Sequence, residues 1–331
     1  MKYVIFHVDG GIGKNIMATA VVKAIKKAYQ DRSLIVVSSH SKVFLNHPDV
    51  YRFYQTEGVQ YFYEDFIAGK DSVILKSDPY YQTGYINNTH HCIKAWILQC
   101  GLEYDNEEPV INLTDQELQL AQKHYGKWGK PIFMIHPRGG VGDGGSWVRD
   151  MPDNLTLDVV KEFNDEYKII SIKSDIQPSI DGVDFITAPD IREAFALIAV
   201  SSKRLFIDSF AQHAAKALKL ASTVVWPIDK VRKLGYSFHD NIVSTFPKIT
   251  TNPNNHYLHE DDVSGELSSS PFPADAKLFD KKIIFASLRG VGKKVDNLIS
   301  ALPDANVPIK MDTFAGDKCN ISKEDGSTKK L

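Results

Sequence analysis

Short apolar runs alternate with amphipathic segments along the first half of the chain. The run from Lys2 to Val8 is rich in β-branched and aromatic residues and predicts a strand, and the segment from Ile16 to Tyr29 predicts an amphipathic helix. Further strands are predicted at Leu34 to Ser38 and Ser72 to Lys76, and further helices at His91 to Cys100 and Asp115 to Tyr125. Such alternation is typical of a parallel, doubly wound sheet.

The same alternation starts again at Pro131, so we predict a hinge over residues 126–131. The second series comprises strands at Ile132 to His136, Lys168 to Ile172, Arg204 to Asp208 and Ser222 to Trp226, and helices at Leu157 to Phe163, Ile191 to Ser201 and Gln212 to Leu220. We therefore expect one α/β domain over residues 1–128 and a second over residues 129–250. Residues 251–331 would add a polar surface loop and a β-α-β piece that begins with a strand at Lys282 to Ser287.

Composition narrows the class of protein. The chain has 331 residues, 43% hydrophobic and 24% charged, which is enough for two ordinary cores. A formal net charge of −2 gives no general attraction to nucleic acid or anionic membranes. No apolar run reaches the ~18 residues of a membrane span and no signal-peptide pattern is found, so we expect a cytoplasmic protein. The three cysteines lack metal-ligand or redox spacing.

The first predicted strand leads into a glycine-rich turn, Asp9-Gly-Gly-Ile-Gly-Lys-Asn. Glycines let backbone N–H groups approach a phosphate, and the following helix N-terminus favours an anion. A P-loop ATPase needs a Ser or Thr where this chain has Asn15, and a dinucleotide-binding fingerprint needs a glycine where it has Ile16. A turn that only permits close packing of strand and helix is a further interpretation.

The chain contains three ordered motifs: Gly10-Gly-Ile-Gly13, Ile135-His-Pro-Arg-Gly139 and Asp208-Ser-Phe-Ala-Gln-His213. Together they resemble glycosyltransferase family 9, the heptosyltransferase-like enzymes. Gly10-Gly-Ile-Gly13 with the helix after it is similar to the family's opening, and Ile135-His-Pro-Arg-Gly139 is similar to its Ile-His-Pro-Gly loop. Asp208-Ser-Phe-Ala-Gln-His213 and the alanines that follow resemble its Asp-Ser-Gly-Pro-x-His signature, with Phe210 and Ala211 in place of Gly-Pro.

The resemblance implies a GT-B fold, in which two Rossmann-like doubly wound domains face a central cleft. The C-terminal domain would hold a nucleotide-diphosphate sugar and the N-terminal domain the acceptor. Neither a metal nor another cofactor is expected, because backbone amides, a helix N-terminus and basic side chains would neutralise the leaving diphosphate. The predicted donor-binding residues are His136, Arg138, Gly139, Arg149, Asp208, Ser209, Gln212 and His213, and the predicted acceptor or phosphate loop comprises Gly10, Gly11, Gly13 and Asn15.

Catalysis is where this chain departs from the family. Inverting transfer needs a general base beside the attacking hydroxyl, and the resemblance would place an aspartate directly after Gly13, where this chain has Lys14. A lysine with its ordinary pKa of about 10.4 is charged and is no base. Asp9 is our first candidate for the base and Asp143 the second, and Lys14 would bind an anionic acceptor or the departing phosphate.

The resulting hypothesis is a metal-independent, inverting glycosyltransferase that acts on a surface glycan or lipopolysaccharide core. A glycosyltransferase acting on hydroxymethylated bases of DNA is an alternative, because Lys14 and neighbouring aromatic residues could form a local nucleic-acid surface. A P-loop-like ATPase and an inactive sugar-binding module are two further alternatives, and the lysine in place of the family's aspartate favours the inactive module.

Overall fold

A computed structural model describes residues 1–57, 59–139, 148–174, 177–187, 189–245 and 277–290. The strands are β1 (Lys2–Val8), β2 (Ser33–Ser38), β3 (Arg52–Gln55), β4 (Asp71–Lys76), β5 (Ile132–His136), β6 (Lys168–Lys173), β7 (Asp184–Thr187), β8 (Lys203–Phe206), β9 (Thr223–Trp226) and β10 (Asp240–Val243). The α-helices are α1 (Ile12–Ala28), α2 (Phe62–Phe66), α3 (Thr83–Ile86), α4 (Cys92–Gln99), α5 (Asp115–Tyr125), α6 (Asp153–Phe163), α7 (Ile191–Val200), α8 (Phe210–Ala217), α9 (Val231–Leu234) and α10 (Lys281–Arg289). The α/β class predicted from the hydrophobic pattern is confirmed.

The first sheet has four parallel strands in the order β3-β2-β1-β4. The central strand β1 is buried on both faces, since Val4 and Phe6 face one cluster of core residues while Tyr3 and Ile5 face another. A strand covered on both sides needs a continuous apolar run, which explains why β1 was predicted with its observed bounds. The edge strand β3 was missed because its four residues are only half-buried or exposed.

The second sheet has six parallel strands in the order β10-β9-β8-β5-β6-β7. Its interior strands are fully or largely buried, and helices α6 and α10 pack on one side of it through the cluster that contains Phe133 and Ile284. The strands of the first sheet end by residue 76 and those of the second begin at residue 132, so the two sheets lie in separate parts of the chain. The domain boundary near residue 128 stays a prediction.

The two halves share one continuous core. Helix α1 of the first half packs against α8 of the second, and α5 packs against α7. Arg192, at the start of α7, is buried and donates to both carboxylate oxygens of Glu117 at 2.7 and 2.8 Å. Glu117 also completes a capping box with Thr114 at the start of α5. The halves are therefore joined by packing and by a bidentate ion pair away from the cleft.

The C-terminal extension differs from the prediction where it is described. Residues Lys281–Arg289 form a helix, whereas we predicted a strand from Lys282 to Ser287. Asp280 caps this helix, and Ile284 and Leu288 are buried four residues apart, which is helical and not strand spacing. The predicted surface loop over residues 251–276 and the rest of the proposed β-α-β piece lie outside the described residues.

Candidate functional site

A cleft of about 660 Å³ lies between the carboxyl ends of the two sheets. This is where ligands bind in open α/β sheets, because loops and helix N-termini converge at that edge. Both halves contribute lining residues. Those predicted from the sequence are Asp9, Gly10, Gly11, Gly13, Lys14, His136, Arg138, Gly139, Arg149, Asp208, Ser209 and His213. The structure thus brings twelve of the fourteen predicted residues to one cavity, and only Asn15 and Gln212 are outside its lining.

The glycine-rich turn is held together by Asn15. The amide of this buried side chain donates to the carbonyl oxygens of Gly10 and Gly11, each at 3.0 Å, and its oxygen accepts from the Ser38 hydroxyl. Gly10 has a φ of +100°, a conformation that favours glycine. Asn15 therefore stabilises the turn without lining the cleft, whereas the neighbouring residues of the turn do line it.

Lys14 lies against the floor of the cleft with only 8% of its surface exposed. Its ammonium nitrogen is 3.0 Å from a carboxylate oxygen of Asp78 and lies 4.9 and 5.3 Å from the ring centres of Tyr80 and Trp96. A P-loop lysine must reach a nucleotide's β- and γ-phosphates. Lys14 is folded back against Gly10 and paired with Asp78, which disfavours the ATPase interpretation.

Asp78 was missed in the sequence analysis, although its position gives a signal. It follows the strand β4 by two residues, as Asp9 follows the neighbouring strand β1 directly, so both carboxylates lie at the same sheet edge. Asp9 is 53% exposed, and its carboxylate is 3.4 Å from a ring nitrogen of His7 and 3.6 Å from the Lys76 ammonium. The N-terminal wall of the cleft is consequently polar and partly open to water.

The C-terminal wall is built around the N-terminus of α8. Ser209 is the N-cap residue, and its hydroxyl accepts from the backbone N–H of Ala211 at 3.3 Å. Asp208, just before it, is buried, and one carboxylate oxygen has no hydrogen-bond partner among the described residues. Burial raises the pKa of Asp208, while the Arg149 and Lys230 cations act in the opposite direction. An unsatisfied buried acceptor in a cleft is suited to a ligand's hydroxyl or N–H group.

His213 lies one turn into α8 and is also buried. One ring nitrogen is hydrogen bonded to the Tyr236 hydroxyl at 2.8 Å, and the other is 4.0 Å from Asp208. Burial lowers the pKa of His213 to about 3, so the ring is neutral at pH 7. Gln212 is not among the residues that line the cleft, and its side-chain amide donates to the Leu234 carbonyl oxygen at 3.1 Å.

The loop after β5 supplies the remaining predicted residues. Burial lowers the pKa of His136 to about 4, and one of its ring nitrogens has no partner among the described residues. Arg138 donates to Asp153 at 2.7 Å, and the backbone N–H of Gly139 donates to Asp150 at 2.8 Å. Both Arg138 and Arg149 line the cleft. The second candidate base, Asp143, and the glycines at positions 140, 142, 144 and 145 lie outside the described residues.

No group of three or more His, Cys, Asp or Glu side chains in the described part of the chain is arranged to hold a metal ion. Within the same residues, no helix has the length and apolar character needed to span a bilayer.

The fold and the cleft define a GT-B architecture, and comparison with solved structures agrees. A glycosyl transferase family 9 structure from Veillonella parvula has a TM-score of 0.63 at 12% identity, over 87% of this chain and 96% of that chain. The ADP-heptose lps heptosyltransferase II of E. coli has a TM-score of 0.59 at 11% identity, over 88% and 99%. The iron-containing dodecameric glycosyltransferase TibC from enterotoxigenic E. coli has a TM-score of 0.59 at 11% identity, over 92% of this chain and 78% of that chain.

No protein-family model and no curated protein sequence matches this chain. The resemblance to glycosyltransferase family 9 found in the motifs is confirmed at the level of the fold. The overall sequence identity to these structures is only about 11–12%. The three motifs, and not the overall identity, therefore indicated the structural relationship.

Proposed function

We propose that the chain is a glycosyltransferase that moves a sugar from a nucleotide-diphosphate donor to an acceptor hydroxyl. The observation that carries the proposal is the C-terminal wall. There the N-terminus of α8, the Arg149 guanidinium and the buried, half-satisfied carboxylate of Asp208 meet in one cleft. A helix N-terminus and a guanidinium suit a diphosphate, and a carboxylate suits the hydroxyls of a sugar.

The structural relatives support a nucleotide-sugar donor. The E. coli enzyme is named for ADP-heptose, and a second TibC structure, with a TM-score of 0.51, contains ADP-D-β-D-heptose. In this chain the diphosphate would be neutralised by protein groups alone, because Arg138 and Arg149 line the cleft beside the helix N-terminus. We therefore propose transfer without a metal or another cofactor.

The N-terminal wall would bind the acceptor. We propose Asp9 and Lys14 as catalytic residues, with the Lys14 cation, fixed by Asp78, stabilising charge on the departing phosphate or on an anionic acceptor. Within the described ranges, the carboxylate of Asp9 has no hydrogen bond or ion pair shorter than 3.4 Å, and it lines the cleft, which suits a group that contacts the acceptor hydroxyl. Displacement from the face opposite the leaving group would invert the sugar's anomeric configuration.

The acceptor class we propose is a surface glycan or lipopolysaccharide core, reached by a protein working in the cytoplasm. DNA carrying hydroxymethylated bases is the alternative acceptor, and binding to such a duplex would weaken steeply as salt is raised. The closed Lys14–Asp78 ion pair favours one further candidate, an inactive sugar-binding module. That module would be stabilised by a nucleotide-sugar without turning it over.

The test is release of nucleoside diphosphate from a panel of nucleotide-sugars in the presence of EDTA. Lipopolysaccharide core oligosaccharide and hydroxymethylated duplex DNA are added separately as acceptors, and products are identified by mass spectrometry. We expect one donor to be turned over and to raise the melting temperature of the native chain. Asp208→Asn should remove turnover, whereas Asp181→Asn, at an exposed turn, should not. Stabilisation of the wild-type chain without turnover would establish the inactive module instead.

A further inference from the structure

His40 is a cleft residue that none of the three motifs contains. It follows strand β2 by two residues and is half-buried, and its side chain lines the same cavity as Asp9 and Lys14. Strands β1 and β2 are neighbours in the sheet, so His40 lies beside the glycine-rich turn on the acceptor wall. The sequence alone does not indicate that His40 lines the cleft, because a single histidine after a strand has no recognisable spacing.

The backbone that carries His40 is fixed by an unusual number of side chains. The Ser38 hydroxyl accepts from the N–H of His40 at 2.9 Å, and the Ser39 hydroxyl donates to the Gly10 carbonyl oxygen at 2.7 Å. Gln55 donates to the Ser39 carbonyl oxygen at 2.6 Å and accepts from the hydroxyl of Ser41 at 3.1 Å. The loop on both sides of His40 is therefore tied to β3 and to the glycine-rich turn.

The imidazole itself is left unused by the rest of the structure. Neither of its ring nitrogens forms a hydrogen bond with any residue in the described ranges. A rigid backbone that presents a side chain with open hydrogen-bonding atoms is the arrangement expected of a group that contacts substrate.

The surroundings of His40 keep its ring neutral. Burial is the one cause of a lowered pKa at His40, which keeps the imidazole unprotonated at pH 7. Asp9 stands at the end of the adjacent strand, and Lys42, two residues further along the chain, is paired with Asp190 of the other half. Neutral imidazole is the side-chain base best matched to neutral pH.

The two carboxylates on this wall already have neighbours that His40 lacks. The carboxylate of Asp9 has two potential cations, His7 and Lys76, within 3.6 Å, and more than half of its surface is exposed to water. Asp78 already accepts from Lys14 at 3.0 Å and from the backbone N–H of Tyr80 at 3.1 Å.

We propose that His40 is the group that receives the acceptor's proton, an inference that rests on the proposed glycosyltransferase function. The acceptor oxygen forms a bond to the anomeric carbon, and the bond from that carbon to the diphosphate breaks with its electron pair leaving on the nucleotide. The hydroxyl proton passes to a ring nitrogen of His40, and the resulting imidazolium returns it to water. Asp9 then acts as a fixed negative charge on the same wall and not as the base.

The test compares three variants of the full chain with the donor that the panel experiment identifies, water serving as acceptor. They are His40→Gln, Asp9→Asn and, as a matched control, His124→Gln on the exposed face of α5. We expect His40→Gln to lower kcat about 100-fold or more while the donor KM changes less than about three-fold. Its donor-induced rise in melting temperature should equal that of the wild type, which shows an intact fold and donor site.

The pH profile separates a base from a structural residue. The wild type should lose kcat/KM as pH falls below the ordinary histidine range, and the residual activity of His40→Gln should lack that acid limb. The proposal is overturned if His40→Gln keeps more than about a third of wild-type kcat, or if its residual activity keeps the limb while Asp9→Asn loses it. Failure of the wild type to bind or turn over any nucleotide-sugar would refute the proposed function itself, and the base assignment with it.

Discussion

The two walls of the cleft differ in how far their acidic groups and histidines are exposed to water. On the C-terminal wall, Asp208, His213 and His136 are each less than a tenth exposed, and burial is the first cause of every shift in their pKa values. On the N-terminal wall, Asp9 is half exposed and His40 half-buried, and Lys14 and Asp9 have oppositely charged neighbours.

This difference indicates a division of labour. Among the described residues, one carboxylate oxygen of Asp208 and one ring nitrogen of His136 on this buried wall have no hydrogen-bond partner. A ligand that cannot pair with them leaves buried polar atoms unpaired, so we expect this wall to recognise a single ligand strictly. A hydrated wall exerts less selection on what it contacts. We therefore expect the donor to be chosen narrowly on the C-terminal side and the acceptor to depend on additional surface outside the cleft.

The largest effect should follow from changing the buried carboxylate. Asp208→Asn keeps the shape but removes the charge, so we expect turnover to fall at least about 100-fold and the donor-induced rise in melting temperature to disappear. Because burial raises the pKa of Asp208, the free protein should be no less stable than the wild type. Activity assays and thermal unfolding of the same preparation check both parts. A stable variant that retains turnover would remove the C-terminal wall from the reaction.

The second prediction concerns the stability of the folded chain at acid pH. Burial lowers the pKa values of His213 to about 3 and of His136 and His239 to about 4, all below the unfolded value near 6.5. The unfolded chain then binds protons that the folded chain does not, so stability is complete above about pH 6.5. It declines as pH falls toward 3–4, by up to roughly 1.4 kcal/mol per pH unit for each such histidine.

Denaturant unfolding between pH 7 and pH 5 measures this decline. His239→Gln, at a residue that does not line the cleft, should make the decline shallower if the histidines cause it. A free energy of unfolding that stays constant over this range would show that these rings are accessible to protons in the folded state.

The third prediction tests the contact between the two walls. A Cβ at Gly13 would lie 2.9 Å from a ring carbon of His213, whereas a Cβ at Gly11 would meet nothing within 4 Å. Gly13→Ser should therefore cost about 1–3 kcal/mol of stability and lower donor affinity, because α1 and α8 must separate. Gly11→Ser places a good N-cap residue at the same turn and is the matched control. Equal melting temperatures for the two variants would contradict the close packing.

The smallest predicted effect is at Ser209. Its hydroxyl caps α8, so Ser209→Ala should cost about 1 kcal/mol and Ser209→Gly only a few tenths. If the hydroxyl also contacts the diphosphate, both variants should bind the donor several-fold more weakly, as calorimetric titration would show. Unchanged donor affinity in Ser209→Gly would restrict this residue to capping.

The parts of the fold that were predictable share a physical cause. Buried parallel strands such as β1 and β5 require continuous apolar runs, and these are visible in the sequence. The short edge strands β3, β7 and β10 carry mixed residues, because one side of each strand has no partner in the described sheets. Their pattern is that of a loop. The helix at Lys281–Arg289 was predicted as a strand because Ile283, Ile284 and Phe285 form a short β-branched and aromatic run.

The site residues likewise divide into those that the sequence predicts and those that it does not. Asp208 and His213 belong to a motif whose order along the chain is the order of a strand and a helix, so local sequence was enough to bring them together. His40 and Asp78 are far apart in the chain. They both reach the cleft because β1 pairs in parallel with β2 and with β4. Such residues become visible once the sheet order is known.

The most direct test of the proposed donor site is calorimetric titration of the wild-type chain with a nucleoside diphosphate and with the matching monophosphate, both in EDTA. We expect one site per chain, with the diphosphate binding at least about ten-fold more tightly, because α8 and Arg149 are placed for the second phosphate. Absence of binding for the nucleoside diphosphates of all common bases, or binding that appears only with magnesium, would contradict the proposed donor site.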